Sequence, residues 1–382
     1  MAIIHYLTKI IFDDGAVASL AEEVARLELK KILLVTDPGV AKCGLAQAAV
    51  DQLPKPIDVE RYEKTPANPT ESAVAEAADQ FRNTGRDGIV AVGGGSPLDL
   101  AKATAVLATH AGTILDFSVA APNPKPISAQ TAPVFSIPTT AGTGSEVGRA
   151  ALIVAKDGRK LAMISPHMLA KCAICDPELT RGLPPALTAA TGMDAIAHCI
   201  ETYLSPEINP PADAIALDGL SRAVRFIERA TADGNDREAR WQMMMAALQG
   251  GLGFQKGLGA VHALSHALGG LADPVLHHGT LNAVFLPAVL RFNTDHCGDK
   301  YQGLRAALGI DAKQHPADYI AELNQRLGIP ANLEAMGVPA SQLPPMVSLA
   351  LADPCTETNP RPPIAEDYVG LLDEAFAGSA IY

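Results

Sequence analysis

The chain has 382 residues, 48% hydrophobic and 19% charged, which is long for one core and points to two domains. A net charge of −12 argues against a polyanionic partner such as nucleic acid. No apolar stretch reaches membrane-spanning length, and the start, Met1-Ala2-Ile3-Ile4-His5-Tyr6, lacks the basic and apolar regions of a signal peptide, so a cytoplasmic protein with no membrane partner is expected. Six cysteines in a chain of this size are no disulfide framework.

The first chemical signal is Lys31-Ile32-Leu33-Leu34-Val35-Thr36-Asp37, an apolar run closing on an acid before Pro38-Gly39. It reads as a buried parallel strand with a loop at its C-terminal end. An acid there can accept from ribose hydroxyls and oppose a 2′-phosphate, or simply be a turn aspartate. After the Pro66–Pro69 loop and a helical Glu71–Arg82 segment, Ile89-Val90-Ala91-Val92 runs into Gly93-Gly94-Gly95-Ser96-Pro97-Leu98-Asp99. This is strand, glycine turn, helix, with Ser96 expected as N-cap, Pro97 at the first helical position and Asp99 as the capping-box acid. Such a turn can cradle an anion on backbone N–H groups, but it is neither G-x-G-x-x-G nor a Walker A loop. Val134-Phe135-Ser136-Ile137 then opens into Pro138-Thr139-Thr140-Ala141-Gly142-Thr143-Gly144-Ser145-Glu146, rich in hydroxyls that suit phosphate or ribose. Cys172-Ala173-Ile174-Cys175 has CxxC spacing, yet strand alternation separates the sulfurs and no second pair exists, so buried strand cysteines are expected.

From about residue 182 the texture becomes alanine- and leucine-rich and helical, as in Asp213–Ala230 and Glu238–Gly250. Asp194 and His198 are one helical turn apart in an apolar run. A carboxylate above an imidazole is costly to bury unless something compensates it, and a divalent cation does so. His262 and His266 repeat that spacing and His277-His278-Gly279 follows, so five of ten histidines fall in three short clusters. These stretches predict a metal site from Asp194, His198, His262 and one of His277 and His278.

Taken together, the Gly93–Asp99 turn, the Pro138–Val147 loop, Gly192–His198, the two later histidine blocks and Asn359-Pro360-Arg361 resemble the iron-containing (group III) alcohol dehydrogenase family of the dehydroquinate synthase-like superfamily. The resemblance runs along nearly the whole chain. It implies an α/β dinucleotide-binding domain over 1–181 and an all-α metal- and substrate-binding domain over 182–382. Carried over by position, the metal ligands are Asp194, His198, His262 and His278, the histidine directly before a glycine, with His266 near the substrate as a proton-handling group. Cofactor contacts are Asp37, Asn68, Gly94, Gly95, Ser96, Asp99, Thr139, Thr140, Thr143, Lys160 and Leu179, and the acid at Asp37 implies NAD rather than NADP. The metal is expected to be Fe(II), with Zn also compatible with the donors. The implied partner is a small alcohol or aldehyde, and the implied assembly is a homodimer or larger homo-oligomer. Phe254 is a candidate wall of the nicotinamide and substrate pocket.

Two rival readings are a dehydroquinate synthase-like lyase and a non-catalytic helical metal module. The lyase handles a charged sugar-acid phosphate, yet residues 192–200 and 258–272 contain no Lys or Arg. The module would have no use for phosphate-binding loops and a full ligand set together.

Overall fold

Alternation along short apolar runs builds the first half. A computed structural model describes residues 8–378, so the Met1–Tyr6 start lies outside the described residues. Six strands form one parallel sheet: β1 (Ile10–Phe12), β2 (Lys31–Val35), β3 (Asp58–Tyr62), β4 (Gly88–Gly93), β5 (Val134–Pro138) and β8 (Cys172–Cys175), in the order β1-β8-β5-β4-β2-β3. A separate antiparallel pair joins β6 (Ala150–Val154) to β7 (Lys160–Ile164). Period-two alternation sends Leu33, Val35, Ile89 and Ala91 into one core with Val74, Ala77, Phe81, Leu98 and Ala101. It sends Ile32, Leu34, Val90 and Val92 into a second core with Leu20, Val24, Ala46 and Ala49. With both faces covered, the strands read as unbroken hydrophobic runs. The CxxC run is β8 itself, with both thiols buried and unpaired by any disulfide.

The order in which strands are added reverses after β3, with all strands remaining parallel. β3 lies on one side of β2, while β4, β5 and β8 extend from the other. Loops leaving the C-terminal ends of adjacent strands at such a switch point form a crevice suited to ligands. Here those loops begin at Thr36-Asp37 after β2 and at Gly94 after β4.

One expectation fails at the second loop. The helix starts at Gly95, with Gly94 as N-cap and no side-chain cap bond, so Ser96 is not the cap and Asp99 closes no capping box. Glycine has no side chain with which to cap, and the first N–H groups are left to other acceptors. Ser96 instead donates its hydroxyl to the carbonyl of Ala67.

Residues 8–140 and 145–181 form one compact unit, and residues 141–144 and 182–378 form another. The hydroxyl-rich loop is thereby divided, with Thr139 and Thr140 in the first unit and Thr143 in the second. The described elements after residue 182 are all helical. At their centre is the helix Pro185–Leu204, buried at every position from Thr188 to Leu204. It is buried on all sides because the helices Pro210–Ala232, Arg237–Gly253 and His278–Asn293 surround it. Glycine makes the closest approaches: a Cβ on Gly192 would stand 2.7 Å from Ile227 Cδ1, and one on Gly250 would stand 3.0 Å from His198 Cβ. No helix among the described residues is long and apolar enough to cross a membrane.

Candidate metal centre and dinucleotide loops

In the sheet unit, the sequence-predicted cofactor residues gather mainly at the switch point. Asp37 caps the short helix Pro38–Lys42, its Oδ1 accepting from Gly39 N at 2.8 Å and Val40 N at 3.0 Å. Gly93 has φ +151°, and a Cβ there would meet Pro97 at 2.6 Å and Asp37 Oδ2 at 3.4 Å, so the two loops touch. Gly94 faces Thr140, whose Oγ1 is buried without a hydrogen-bond partner among the described residues. Thr139 N donates to Gly93 O at 2.9 Å, and Ser96 reaches the Ala67-Asn68 loop. Asp37, Asn68, Gly94, Gly95, Ser96, Thr139 and Thr140 are thus neighbours.

Asp99 is on the same helix but is committed elsewhere. It accepts from Leu152 N at 3.0 Å and from the Ser145 hydroxyl, and it pairs with the buried Lys102 at 3.0 Å. Leu179 is packed into the core that holds Val92 and Ile137. Lys160 stands at the start of β7, paired with Val154 in the two-stranded sheet.

In the helical unit, three separate helices bring ligand atoms together. Asp194, on the Pro185–Leu204 helix, lies with Oδ1 3.7 Å from His262 Nε2 and 3.7 Å from His278 Nε2. One donor from each of these residues falls within 4.8 Å of the others. His198 stands beside this set: its Nδ1 is 3.8 Å from Asp194 Oδ1 and its ring stacks on His262 at 4.6 Å between centroids. His278 is the first residue of its helix, half-buried at the cluster, whereas His277 is exposed at the N-cap position. The approach depends on Gly279, where a Cβ would lie 2.2 Å from the Ala190 carbonyl oxygen. His266 stacks on His278 at 5.3 Å, and Phe254 lies 5.4 Å from His198.

A second ring of polar groups aims the imidazoles. Glu201 is one turn beyond His198, and its Oε2 accepts from His262 Nδ1 at 2.6 Å while Oε1 accepts from Val261 N at 2.7 Å. With Nδ1 committed to Glu201, His262 turns Nε2 toward Asp194. Ser265 Oγ donates to the His262 carbonyl at 3.1 Å and lies 3.3 Å from His278 Nδ1. Asp353 Oδ2 accepts from His266 Nδ1 at 2.9 Å. Asn359, in the C-terminal patch singled out from sequence, accepts from Ala260 N at 3.1 Å and so caps the helix that carries His262 and His266.

The electrostatics favour a cation. Burial opposes charge on His262, but Asp194 and Glu201 outweigh it and lift the imidazole to about 9. Burial pushes His198 down to about 4 against the pull of Asp194. Burial would raise Asp194, yet the surrounding imidazoles reverse the direction and hold its carboxyl well below the usual range. A divalent ion beside Asp194 and Glu201 leaves the buried cluster near neutral overall, the condition under which burying charges is tolerable. The 3.7 Å donor spacings also agree with the roughly 3.4 Å expected between donors on a tetrahedral ion with bonds of about 2.1 Å. The buried Nδ1 of His198 has no hydrogen-bond partner among the described residues and adds a further donor. The residues therefore fit a divalent metal.

Glu201, Ser265, Asn282 and Asp353 were not assigned roles from sequence. Glu201 carried a weak signal, three residues after His198 in the same run, and Asn282 carried another, four after His278. Asp353 is 87 residues from His266, and no local spacing could join them.

Two family models cover most of the chain. That of the iron-containing alcohol dehydrogenases matches residues 8–177, and that of the C-terminal region of the Fe-containing alcohol dehydrogenase family matches 188–376. A 4-hydroxybutyrate dehydrogenase of Cupriavidus necator is 51% identical, covering 98% of this chain and 100% of its own. A lactaldehyde reductase of Escherichia coli (strain K12) is 33% identical, over 96% of this chain and 97% of its own. Among solved structures, a 1,3-propanediol oxidoreductase superposes with TM-score 0.90 at 34% identity, over 98% of this chain and 100% of that one. A sulfoacetaldehyde reductase from Bifidobacterium kashiwanohense in complex with NAD+ superposes with TM-score 0.88 at 26% identity, over 98% and 99%.

Proposed function

Because this chain belongs to the iron-containing alcohol dehydrogenase family, we propose that it holds Fe(II), or Zn in its place, on Asp194, His198, His262 and His278 and takes NAD(H) as its hydride partner. It is a metal-dependent oxidoreductase that interconverts an alcohol and an aldehyde. The observation that carries the metal reading is the convergence of Asp194, His262 and His278 donors from three helices. A divalent ion there supplies Lewis acidity, lowering the proton affinity of an alcohol oxygen and polarising an aldehyde carbonyl.

The chain's own residues do the rest. His266 gives its Nδ1 proton to a hydrogen bond with Asp353, so Nε2 is the nitrogen that takes the proton from the alcohol and returns it in the reverse direction. A nicotinamide ring held by the dinucleotide loops would supply the acceptor for the hydride of the carbinol carbon. The carbon would be oxidised by two electrons and NAD+ reduced by the same two. Phe254, against His198, walls the apolar side. Asp37, Asn68, Gly94, Gly95, Ser96, Thr139, Thr140 and Thr143 are assigned to the dinucleotide, with Asp99, Lys160 and Leu179 supporting them. The division of labour is a cofactor domain over 1–181 and a metal and substrate domain over 182–382. The NAD+ complex of the sulfoacetaldehyde reductase supports this cofactor. We place the enzyme in the cytoplasm as a homodimer or larger homo-oligomer without nucleic-acid or membrane partners, which sedimentation and cell fractionation would test.

For the substrate, the 51% identical 4-hydroxybutyrate dehydrogenase supports an ω-hydroxy acid and its semialdehyde. Protein loaded with Fe(II) under nitrogen and supplied with NADH should reduce succinic semialdehyde with a kcat/KM at least roughly tenfold above that for butyraldehyde. The reverse order would remove the hydroxy-acid assignment. NADH left unoxidised by every aldehyde, with NADPH consumed instead, would remove the NAD assignment.

A further inference from the structure

The helix Gly95–Leu107, which opens from the glycine turn, carries an ammonium that no step of the chemistry uses. Lys102 is 1% exposed and sits two turns into that helix. Its Nζ lies 3.0 Å from Asp99 Oδ1, one turn earlier, and donates to the carbonyls of Ser145 at 3.1 Å and of Ala150. These partners fill the three N–H donors of an ammonium, and the Gly148 carbonyl stands just outside them at 3.5 Å. Asp99 reaches the same stretch, accepting from the Ser145 hydroxyl and from Leu152 N at 3.0 Å. One turn of helix thus ties down the chain at Ser145, Ala150 and Leu152. The glycine turn before it holds the other end of the same loop, where Thr139 N donates to Gly93 O at 2.9 Å and Thr140 lies against Gly94. The hydroxyl-rich loop from Thr139 to Ser145 is therefore gripped at both ends by this turn and helix. A buried ion pair adds little net stability over apolar residues of the same volume, so stability alone does not account for Lys102. What an ammonium adds is direction, because it fixes the carbonyls that it binds.

We propose that Lys102 is a positioning residue for the dinucleotide, a role that rests on the assignment of the hydroxyl-rich loop to NAD(H). By fixing where the chain leaves that loop, Lys102 sets in place the segment that carries Thr139, Thr140 and Thr143 before the cofactor arrives. Lys102 is too deeply enclosed to touch the cofactor itself. Without the ammonium, the carbonyls of Ser145 and Ala150 lose their donor and Asp99 loses its counter-ion. The return end of the loop is then free to move, and binding of the dinucleotide carries the cost of ordering it. Ordering one or two residues is enough to weaken binding roughly tenfold. The metal donors Asp194, His198, His262 and His278 lie in the other compact unit and keep their own contacts.

The test titrates the metal-loaded enzyme with NADH and follows nicotinamide fluorescence. Hydrogen exchange of the amides from 143 to 152 in the cofactor-free protein, metal content and thermal unfolding are measured alongside. Lys102→Met, which fills similar space without donors, should raise the NADH Kd roughly tenfold or more and speed exchange across that segment, with metal content at the wild-type level. In turnover the effect should fall on KM for NADH and much less on kcat. Lys102→Gln, which keeps an NH2 donor without the charge, should fall between wild type and Lys102→Met, and it takes the place of the methionine variant if that one does not fold. Variants that unfold at a lower temperature yet bind NADH as tightly as wild type would show that Lys102 only holds the fold, and would overturn the role. A wild-type protein that binds neither NADH nor NADPH would instead remove the dinucleotide reading, and the role of Lys102 with it.

Discussion

At the residue scale, adjacent histidines have unequal prospects. His277 is exposed before the helix begins, while His278 begins it and turns Nε2 toward Asp194 at 3.7 Å. His278→Ala should strip most of the metal and nearly all activity, whereas His277→Ala should keep the metal and lose less activity. Metal analysis of the two purified variants decides between them, and retention by His278→Ala with loss by His277→Ala would reverse the assignment. The choice of the histidine before Gly279 rests, at the level of sequence, only on the resemblance, because two neighbouring imidazoles have the same local chemistry. The partners of the imidazoles divide in the same way. Glu201 sits within the run that announced the site, but the bond from Asp353 to His266 exists only because the fold returns the chain there.

At the scale of elements, the centre depends on how closely the helix His278–Asn293 packs on Pro185–Leu204. Gly279 permits that approach, with its missing Cβ 2.2 Å short of the Ala190 carbonyl and 3.2 Å from Asp194 Cβ. Backbone is on the other side, so a side chain cannot be accommodated by a rotamer change. Gly279→Ala should force the helices apart, cost about 1–3 kcal/mol, and weaken metal binding with it. Denaturant unfolding and metal content would show this, and an unchanged midpoint with full metal would mean that the helices have slack. The glycine turn after β4 shows the opposite limit of sequence reading. Its strand and helix were legible, but the cap was not, because the helix begins on Gly95 and Ser96 is drawn to the carbonyl of Ala67.

At the scale of the whole molecule, one buried acid sets a pH dependence. Burial lifts Glu146 to about 7, with its own backbone N–H and Lys102 acting against that rise. A carboxyl whose folded value exceeds the unfolded 4.5 holds its proton more tightly in the native state. Its contribution is fully present below 4.5 and is lost as pH rises through about 7, a difference of about 3 kcal/mol. Urea unfolding between roughly pH 5 and 8.5 should therefore show wild-type stability declining more than that of Glu146→Gln. Parallel curves would mean that Glu146 is already ionised in the folded protein.

What the sequence determined by itself is what local rules govern: the unbroken runs that become β2, β4, β5 and β8, the helical second half, and the one-turn spacing of Asp194 with His198 and of His262 with His266. Spacing of side chains within one element follows from backbone geometry and needs no tertiary information. The fold alone decided which donors converge, that Thr143 falls in a different unit from Thr139 and Thr140, and that Asp99 is occupied by Leu152, Ser145 and Lys102. It also placed the Asn282 amide against all three converging donors. Each of these is a meeting of side chains from elements distant in the chain, set by how closely helices and strands can pack, and no periodicity within a single segment records it.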